Sequence, residues 1–226
     1  IPHNSPYYHD AYTSNRINGQ RLRDHLLEQL YERVPIISIS QQQIRFGTNV
    51  CIGDIGVSKY NIYKQIYIGL KYVRTPYVAC CEDDVLYNYE HFVYRPATGI
   101  FAYDCNMWFA DTDEFWRRPQ LHERSGMFGC IAETDVLLKY LDEKFKKYPE
   151  PDPKHYDWGE PLSSAIFFSG QTPLIVFIHS ESHGRRDIQK RKLLDKHKQA
   201  SLPEDHTTHL CTYGDIKDVW ETYYDA

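Results

Sequence analysis

Three consecutive acids, Glu82-Asp83-Asp84, close the apolar run Pro76-Tyr77-Val78-Ala79-Cys80-Cys81. In open α/β sheets, ligands bind beyond the carboxyl ends of strands, which is where this triplet falls. Successive strand residues point to opposite faces, so Glu82 and Asp84 are expected on one side and Asp83 on the other. Two carboxylates on one side could hold Mg²⁺ or Mn²⁺, hard ions that take a few protein oxygens together with substrate phosphates. The plainer alternative is a polar turn capping a strand; the buried run just before it favours the metal. Ser58, Asn61 and Gln65, spaced by three and four, share one face of a helix that starts at Ser58. A helix N-terminus attracts anions such as a diphosphate, and Gly53 and Gly56 allow close backbone approach. A capped, solvated helix face is the simpler reading of these residues. A third cluster, His183 to Lys198, holds Arg185, Arg186, Lys190, Arg191, Lys192, Lys196 and Lys198 against Asp187 and Asp195.

The elements that must position these groups follow from periodicity and punctuation. Tyr7–Thr13 reads as a short strand. A helix over about Asn18–Arg33 follows, with Leu22, Leu26, Leu27 and Leu30 on one face. Pro35–Ser40 reads as a buried strand, and the stretch to Gly56, rich in Gly, Asn and Gln, as a loop. Ser58 caps a helix running to about Val73, with Ile62, Ile66, Leu70 and Val73 as its apolar stripe. Pro76–Cys81 is then a central strand. This alternation predicts an α/β fold with right-handed crossovers. Further strands are expected within Ile100–Trp108, Met127–Ala132, Ala165–Ser169 and Leu174–Ile178, with a helix over Asp135–Lys147. Tyr148–Pro161, with its prolines and charges, reads as a long loop of the kind that serves active sites.

The chain has 226 residues, of which 42% are apolar, 15% aromatic and 25% charged. That excludes a mainly disordered protein and is too short for two full enzymatic domains. No run approaches the ~18–20 apolar residues of a membrane span, and no signal-peptide pattern opens the sequence. None of the six cysteines forms a CxxC pair, and adjacent Cys80 and Cys81 read as small hydrophobes in a reducing, cytoplasmic setting. The net charge of −5 speaks against a surface built wholly for nucleic acid. It conceals a +5 segment at His183–Lys198, so the remainder carries −10. That segment is a solvated helix face, a diphosphate clamp through Arg185 or Arg186, or a contact for nucleic-acid phosphates.

Gly56-x-Ser58-x-x-Asn61, followed by Tyr77-Val78-Ala79-Cys80-Cys81-Glu82-Asp83-Asp84, resembles the nucleotide-sugar domain of glycosyltransferases of the GT-A fold. Pro35-Ile36-Ile37-Ser38-Ile39-Ser40, Phe46-Gly47-x-Asn49 and Glu82-Asp83-Asp84-Val85-Leu86-Tyr87-x-x-x-x-His91-Phe92 are similar to small glycosyltransferase-like proteins of phages and bacteria, over about residues 8 to 190. The resemblance implies a GT-A-like (Rossmann-like) α/β fold, with a mixed, mostly parallel sheet flanked by helices. It implies one domain over 1–226: a nucleotide-sugar half to about 95, an acceptor half over about 96–200 and a C-terminal extension over 201–226. Tyr12, Thr13 and Asn15 would take the base and ribose, with Ser58, Asn61, Gln65 and Asp83 also on the nucleotide sugar. Asp84 and Glu82 would hold the metal bridging the diphosphate, although Glu stands where the family's motif has Asp. A C-terminal His often completes that site; His183 suits it, with His179 as its rival.

The implied reaction is sugar transfer from a nucleotide donor, expected to be UDP-linked, to a hydroxyl acceptor, with Mn²⁺ or Mg²⁺ as cofactor. An inverting enzyme needs a carboxylate to take the acceptor proton. Asp157 and Glu160 in Tyr156-Asp157-Trp158-Gly159-Glu160-Pro161 are the candidates, with Trp158 as a sugar or base platform; a retaining enzyme needs no such base. Tyr103, Trp108, Phe109 and Trp116 are either acceptor-cleft aromatics or core. The acceptor is a hydroxymethylated pyrimidine in DNA or a cell-surface glycan, the former placing the protein in the host cytoplasm of a phage. A nucleotidyltransferase is the rival enzyme class, although Tyr12–Gly19 lacks its Gly-rich, basic loop. A non-catalytic sugar- or nucleotide-binding module is the rival outside enzymes.

Overall fold

The computed structural model describes residues 16–17, 19–30, 33–56, 58–110, 115–117, 126–150, 164–177 and 205–225. These form a mixed α/β architecture with five α-helices. Helix α1 (Gly19–Leu30) buries Leu22, Arg23, Leu26 and Leu30. Leu27, expected on the buried face, is 43% exposed, because the stripe rotates to include Arg23. Strand β2 (Ile37–Ser40) pairs in parallel with β3 (Thr48–Cys51). The sequence reading placed β3 in a loop because the stretch to Gly56 is rich in Gly, Asn and Gln. Asn49 explains the strand: its amide donates to the buried hydroxyls of Ser38 and Ser40, each at 2.9 Å.

Helix α2 (Lys59–Leu70) starts at the expected N-cap, where the Ser58 hydroxyl accepts the Asn61 N–H at 3.1 Å. It ends before Val73, and Tyr60, Tyr63, Ile66 and Leu70 carry its buried face. Strand β4 (Tyr77–Ala79), β5 (Val85–Leu86) and the short helix α3 (Tyr89–Val93) follow. The run Ile100–Trp108 is two strands rather than one, β6 (Phe101–Asp104) and β7 (Met107–Ala110), which enter different sheets. The Asp104 carboxylate accepts the Asn106 N–H at 3.0 Å and turns the chain between them.

Next come β8 (Phe115–Arg117), a 3-10 turn over Met127–Gly129, β9 (Cys130–Glu133) and α4 (Thr134–Lys147). β10 (Ala165–Phe168) and β11 (Leu174–Phe177) occupy the expected runs. The C-terminal part supplies β12 (Asp205–Thr207), β13 (His209–Leu210), β14 (Gly214–Asp215) and α5 (Ile216–Tyr223). One sheet has the order β10-β6-β9-β4 and a second β12-β8-β7-β11-β5. The short pair β13 and β14, and β1 (Arg16–Ile17) with β15 (Tyr224–Asp225), complete the ladders.

Among the described residues, three ladders are parallel and seven antiparallel. The expected mostly parallel sheet is therefore corrected. The hairpin return at β7–β8 and the antiparallel pairing of β9 with both β4 and β6 stand where helical crossovers would be needed for parallel neighbours. Helices α2 and α4 pack on the first sheet through Ile66, Leu70, Leu137 and Leu141. Helices α1 and α5 pack on the second through Leu22, Phe177, Ile216 and Val219. A third cluster joins α1 to α3 through Leu26, Leu30, Val85, Tyr87 and Phe92. Among the described residues no helix is long and apolar enough to cross a membrane.

Candidate functional site

The acidic triplet lies where β4 loses its partner. Cys80 N–H donates to Cys130 C=O at 2.9 Å, the last rung to β9, because Met127–Gly129 is already a 3-10 turn. Beyond it the chain leaves the ladder, turns at Asp83-Asp84 and enters β5. The strand alternation expected to set Glu82 and Asp84 on one face stops short of them. The triplet is instead fixed at three points. The Tyr87 hydroxyl accepts the Glu82 N–H at 2.9 Å and donates to Phe128 C=O at 3.0 Å. Asp83 pairs with Arg23 of α1 at 4.0 Å. Asp84 C=O accepts the Phe177 N–H at 2.9 Å.

These contacts divide the labour among the acids. Asp83 has its charge offset by Arg23 from within the fold. All three acids are partly buried, and one carboxylate oxygen of Asp84 is sealed from solvent; Glu82 and Asp84 are the two that the sequence reading assigned to a metal. Among the described residues no three His, Cys, Asp or Glu side chains gather at metal-binding range. Two carboxylates still fit Mg²⁺, which keeps waters and substrate phosphates in most of its coordination sphere. The donor set is hard oxygen, as such an ion requires. The adjacent thiols contribute nothing to it. Burial pushes Cys81 up to about 12, while hydrogen bonding to Cys130 and burial push Cys80 well up. Both stay protonated and act as the small hydrophobes expected of them.

The other anion-binding candidates are engaged locally. The Ser58 hydroxyl caps α2, and the Asn61 amide donates to the carbonyls of Ile55 and Gly56. Gln65 is fully buried rather than on an exposed polar face, because the apolar stripe of α2 extends round to Gly69. Gly53 and Gly56 both have φ of 74°, and a Cβ at Gly53 would meet nothing within 4 Å. Backbone conformation rather than close approach requires glycine there. Of the aromatic candidates, Tyr103 is fully buried in the first core, while Trp108 and Phe109 are partly buried. The side chain of Trp116 lies outside the described residues. So do Tyr12, Thr13, Asn15, Asp157, Trp158, Glu160, His179, His183, Arg185 and Arg186.

Sequence reasoning assigned no role to Tyr87 or Arg23. The signal for Arg23 was a cation next to Leu22 within a buried stripe; Tyr87 carried none beyond its closeness to the triplet. Tyr87 is 1% exposed, and burial raises its phenol well above the usual range, so it stays a neutral donor. Tyr87→Phe strands the Glu82 N–H and the Phe128 carbonyl together. We expect a loss of about 1–3 kcal/mol in denaturant unfolding, with weaker metal-dependent ligand binding at the acidic turn.

His25 braces the same region. Its Nε2–H donates to Tyr87 C=O and its Nδ1 accepts the Tyr223 hydroxyl, each at 3.2 Å. Burial holds its pKa below the ordinary 6.5. The unfolded chain therefore binds the proton more readily than the folded one. The stability contributed by neutral His25 is complete above about 6.5 and is lost as pH falls through the lower folded value. Unfolding followed from pH 7 to 5 should show a smaller acid loss for His25→Gln than for the parent.

A second buried acid, Asp104, faces His91 at 3.6 Å, both sealed from solvent. Nearby, Glu90 accepts the N–H groups of Gln171 and Thr172. Glu90 thereby holds the turn between β10 and β11.

Compared with known protein families, curated proteins and solved structures, the chain shows no significant match in any of the three.

Proposed function

We propose that this chain is a metal-dependent glycosyltransferase of GT-A type, moving a sugar from a nucleotide donor, in our reading a UDP-sugar, to a hydroxyl acceptor. One observation carries the reading: an acidic turn at the carboxyl end of β4, tethered through Tyr87, Arg23 and Phe177, with Glu82 and Asp84 partly exposed. Asp84 and Glu82 would hold Mn²⁺ or Mg²⁺, with His183 as the third protein ligand. When bound, the ion supplies positive charge against the leaving diphosphate. The preformed turn spares the chain the ordering cost of gathering its carboxylates at each turnover. Asp157 or Glu160 would take the acceptor proton in an inverting reaction, and Arg185 or Arg186 would contact the diphosphate.

Calorimetry with a panel of nucleotide sugars, with and without Mn²⁺, tests this directly. Binding of at least one donor that depends on Mn²⁺ is expected; no binding and no donor hydrolysis across the panel would sink the reading. The net +5 of His183–Lys198 supports DNA as the acceptor. Charge reversal at Lys190, Arg191 and Lys192 should then abolish salt-sensitive DNA binding. An absence of DNA binding by the parent at low salt would leave a glycan as the acceptor.

A further inference from the structure

We propose that the outer ridge of α2, with the neighbouring lysines of α4, binds the phosphate backbone of a nucleic acid. The partner is the DNA acceptor of the reading above, on which this role rests; the binding itself needs no sugar transfer.

The charge pattern is lopsided. No Asp or Glu occurs between Ile55 and Cys81, a stretch that holds Lys59, Lys64, Lys71 and Arg74. Within α4, Asp135, Asp142 and Glu143 stand against Lys139, Lys144, Lys146 and Lys147, a net +1. The two segments thus carry +5 in a chain of net −5. A helix face that is merely solvated ordinarily mixes its charges into i,i+4 pairs. Helix α4 does so, with Lys146 bonding Asp142 at 2.6 Å. Helix α2 holds no acid with which its lysines could pair.

The fold sets these lysines side by side. Residues seven apart lie on one ridge, about 10 Å along the helix axis. Lys64 and Lys71 have that spacing on α2, and Lys139 and Lys146 have it on α4. The two helices meet where the Phe145 ring lies 5.3 Å from Tyr60 and 5.1 Å from Tyr67. Across the same seam the Tyr67 hydroxyl donates to Asp142 at 2.9 Å. Bonds from Lys146 and Tyr67, with the field of Lys71, hold the Asp142 carboxyl below its usual range. Lys71 of one helix and Lys146 of the other therefore flank a single carboxylate. Tyrosines one turn back steady the cations of α2. Lys64 lies over the Tyr60 ring at 6.0 Å and Lys71 over Tyr67 at 4.2 Å. A lysine resting on a ring has less rotamer freedom to lose when it meets an anion.

The chemistry of the ridge favours phosphates over a bilayer. A helix that lies on a membrane turns an apolar face outward. Here Ile62, Val136 and Leu138 pack against the first core instead. Among the described residues, none of the exposed large hydrophobics lies on α2 or α4, although Tyr72 follows α2. Ile68, beside the ridge, is partly buried and too little to anchor a helix in lipid. A nucleic-acid backbone needs only cations at intervals. Lysine meets phosphate as a point charge, without the planar fork of arginine. Such contacts position a duplex and carry no base sequence.

Fluorescence anisotropy of the full chain with a labelled DNA duplex, followed across salt, tests the proposal. Lys64→Gln/Lys71→Gln is compared with Arg45→Gln/Lys217→Gln, which removes two exposed cations from the loop before β3 and from α5. Net charge changes equally in both. At about 0.1 M salt, charges more than about 10 Å apart are largely screened. We expect the α2 variant to bind about tenfold or more weakly and its salt slope to fall by about two, with the control close to the parent. Duplexes rich in A·T and in G·C should bind alike, and Mn²⁺-dependent donor binding should not change in either variant. Equal losses in the two variants make net charge the cause and overturn the proposal. An α2 variant that binds DNA as the parent does also overturns it, and leaves the DNA acceptor to other cations. A parent that binds no DNA at low salt removes the ridge and the DNA acceptor together, while donor binding still reports on the transferase. Tighter binding to phosphatidylserine vesicles than to DNA, lost in Lys64→Gln/Lys71→Gln, assigns the ridge to a membrane and overturns it as well.

Discussion

Asp84→Asn is expected to abolish sugar transfer and the Mn²⁺-dependent part of donor binding while leaving the fold intact. The substitution keeps the shape of the side chain and the backbone carbonyl that accepts the Phe177 N–H. It removes one of the two negative charges that can serve a cation at the turn. A metal that stabilises a leaving diphosphate contributes several kcal/mol in the transition state, so its loss lowers the rate by about a thousandfold or more. Unfolding should move by less than about 1 kcal/mol, since a partly exposed acid is being neutralised without loss of packing. Donor binding by calorimetry, turnover and denaturant unfolding read these effects separately. A non-catalytic binding module predicts the opposite pattern, with ligand binding and biological activity retained in Asp84→Asn. A variant with intact Mn²⁺-dependent binding would refute the assignment of Asp84 to the metal.

The parts of this fold that were legible in the sequence are those decided by local chemistry. Ser58 is a good cap wherever a helix follows it, and its hydroxyl makes that bond to Asn61. The strands β10 and β11 fall within their expected runs, and α4 starts one residue before its own, because periodicity and length agree there. The rest depended on partners far away in the chain. The break in Ile100–Trp108 has one local sign, Asp104 bonding the N–H two residues on, but only the fold shows that separate sheets claim the two halves. β3 was hidden because its polar residues are satisfied by the serines of β2, a pairing that only the fold supplies. At the site, the acidic triplet was visible as composition after an apolar run. Its anchoring was not, because Arg23 reaches it from α1, Phe177 from β11 and Tyr87 from the link between β5 and α3.

Phe177 joins the core to that anchoring, and Phe177→Ala is expected to cost about 3–5 kcal/mol. The ring is fully buried in the cluster that holds Leu22 of α1 and Ile216 and Val219 of α5. It meets Trp220 edge-on at 6.2 Å and Tyr223 at 5.7 Å. Removing it leaves a cavity between two helices and the second sheet. Net stabilities of folded domains are only about 5–15 kcal/mol, so the loss is a large fraction of the whole. It corresponds to roughly 6–20 °C in Tm for a chain of this size. The same residue's N–H holds Asp84 C=O, and Tyr223 beneath it holds His25, which in turn bonds the Tyr87 carbonyl. A loosened Phe177 should therefore also weaken metal-dependent donor binding at temperatures where the variant is still folded. Leu141→Ala provides the contrast. Leu141 is equally buried but belongs to the cluster of α2 and α4 on the first sheet. It should cost about 2–5 kcal/mol and leave donor binding unchanged below its own unfolding transition. Equal weakening of binding by both variants would show that general destabilisation, rather than the strand behind the acidic turn, sets the site.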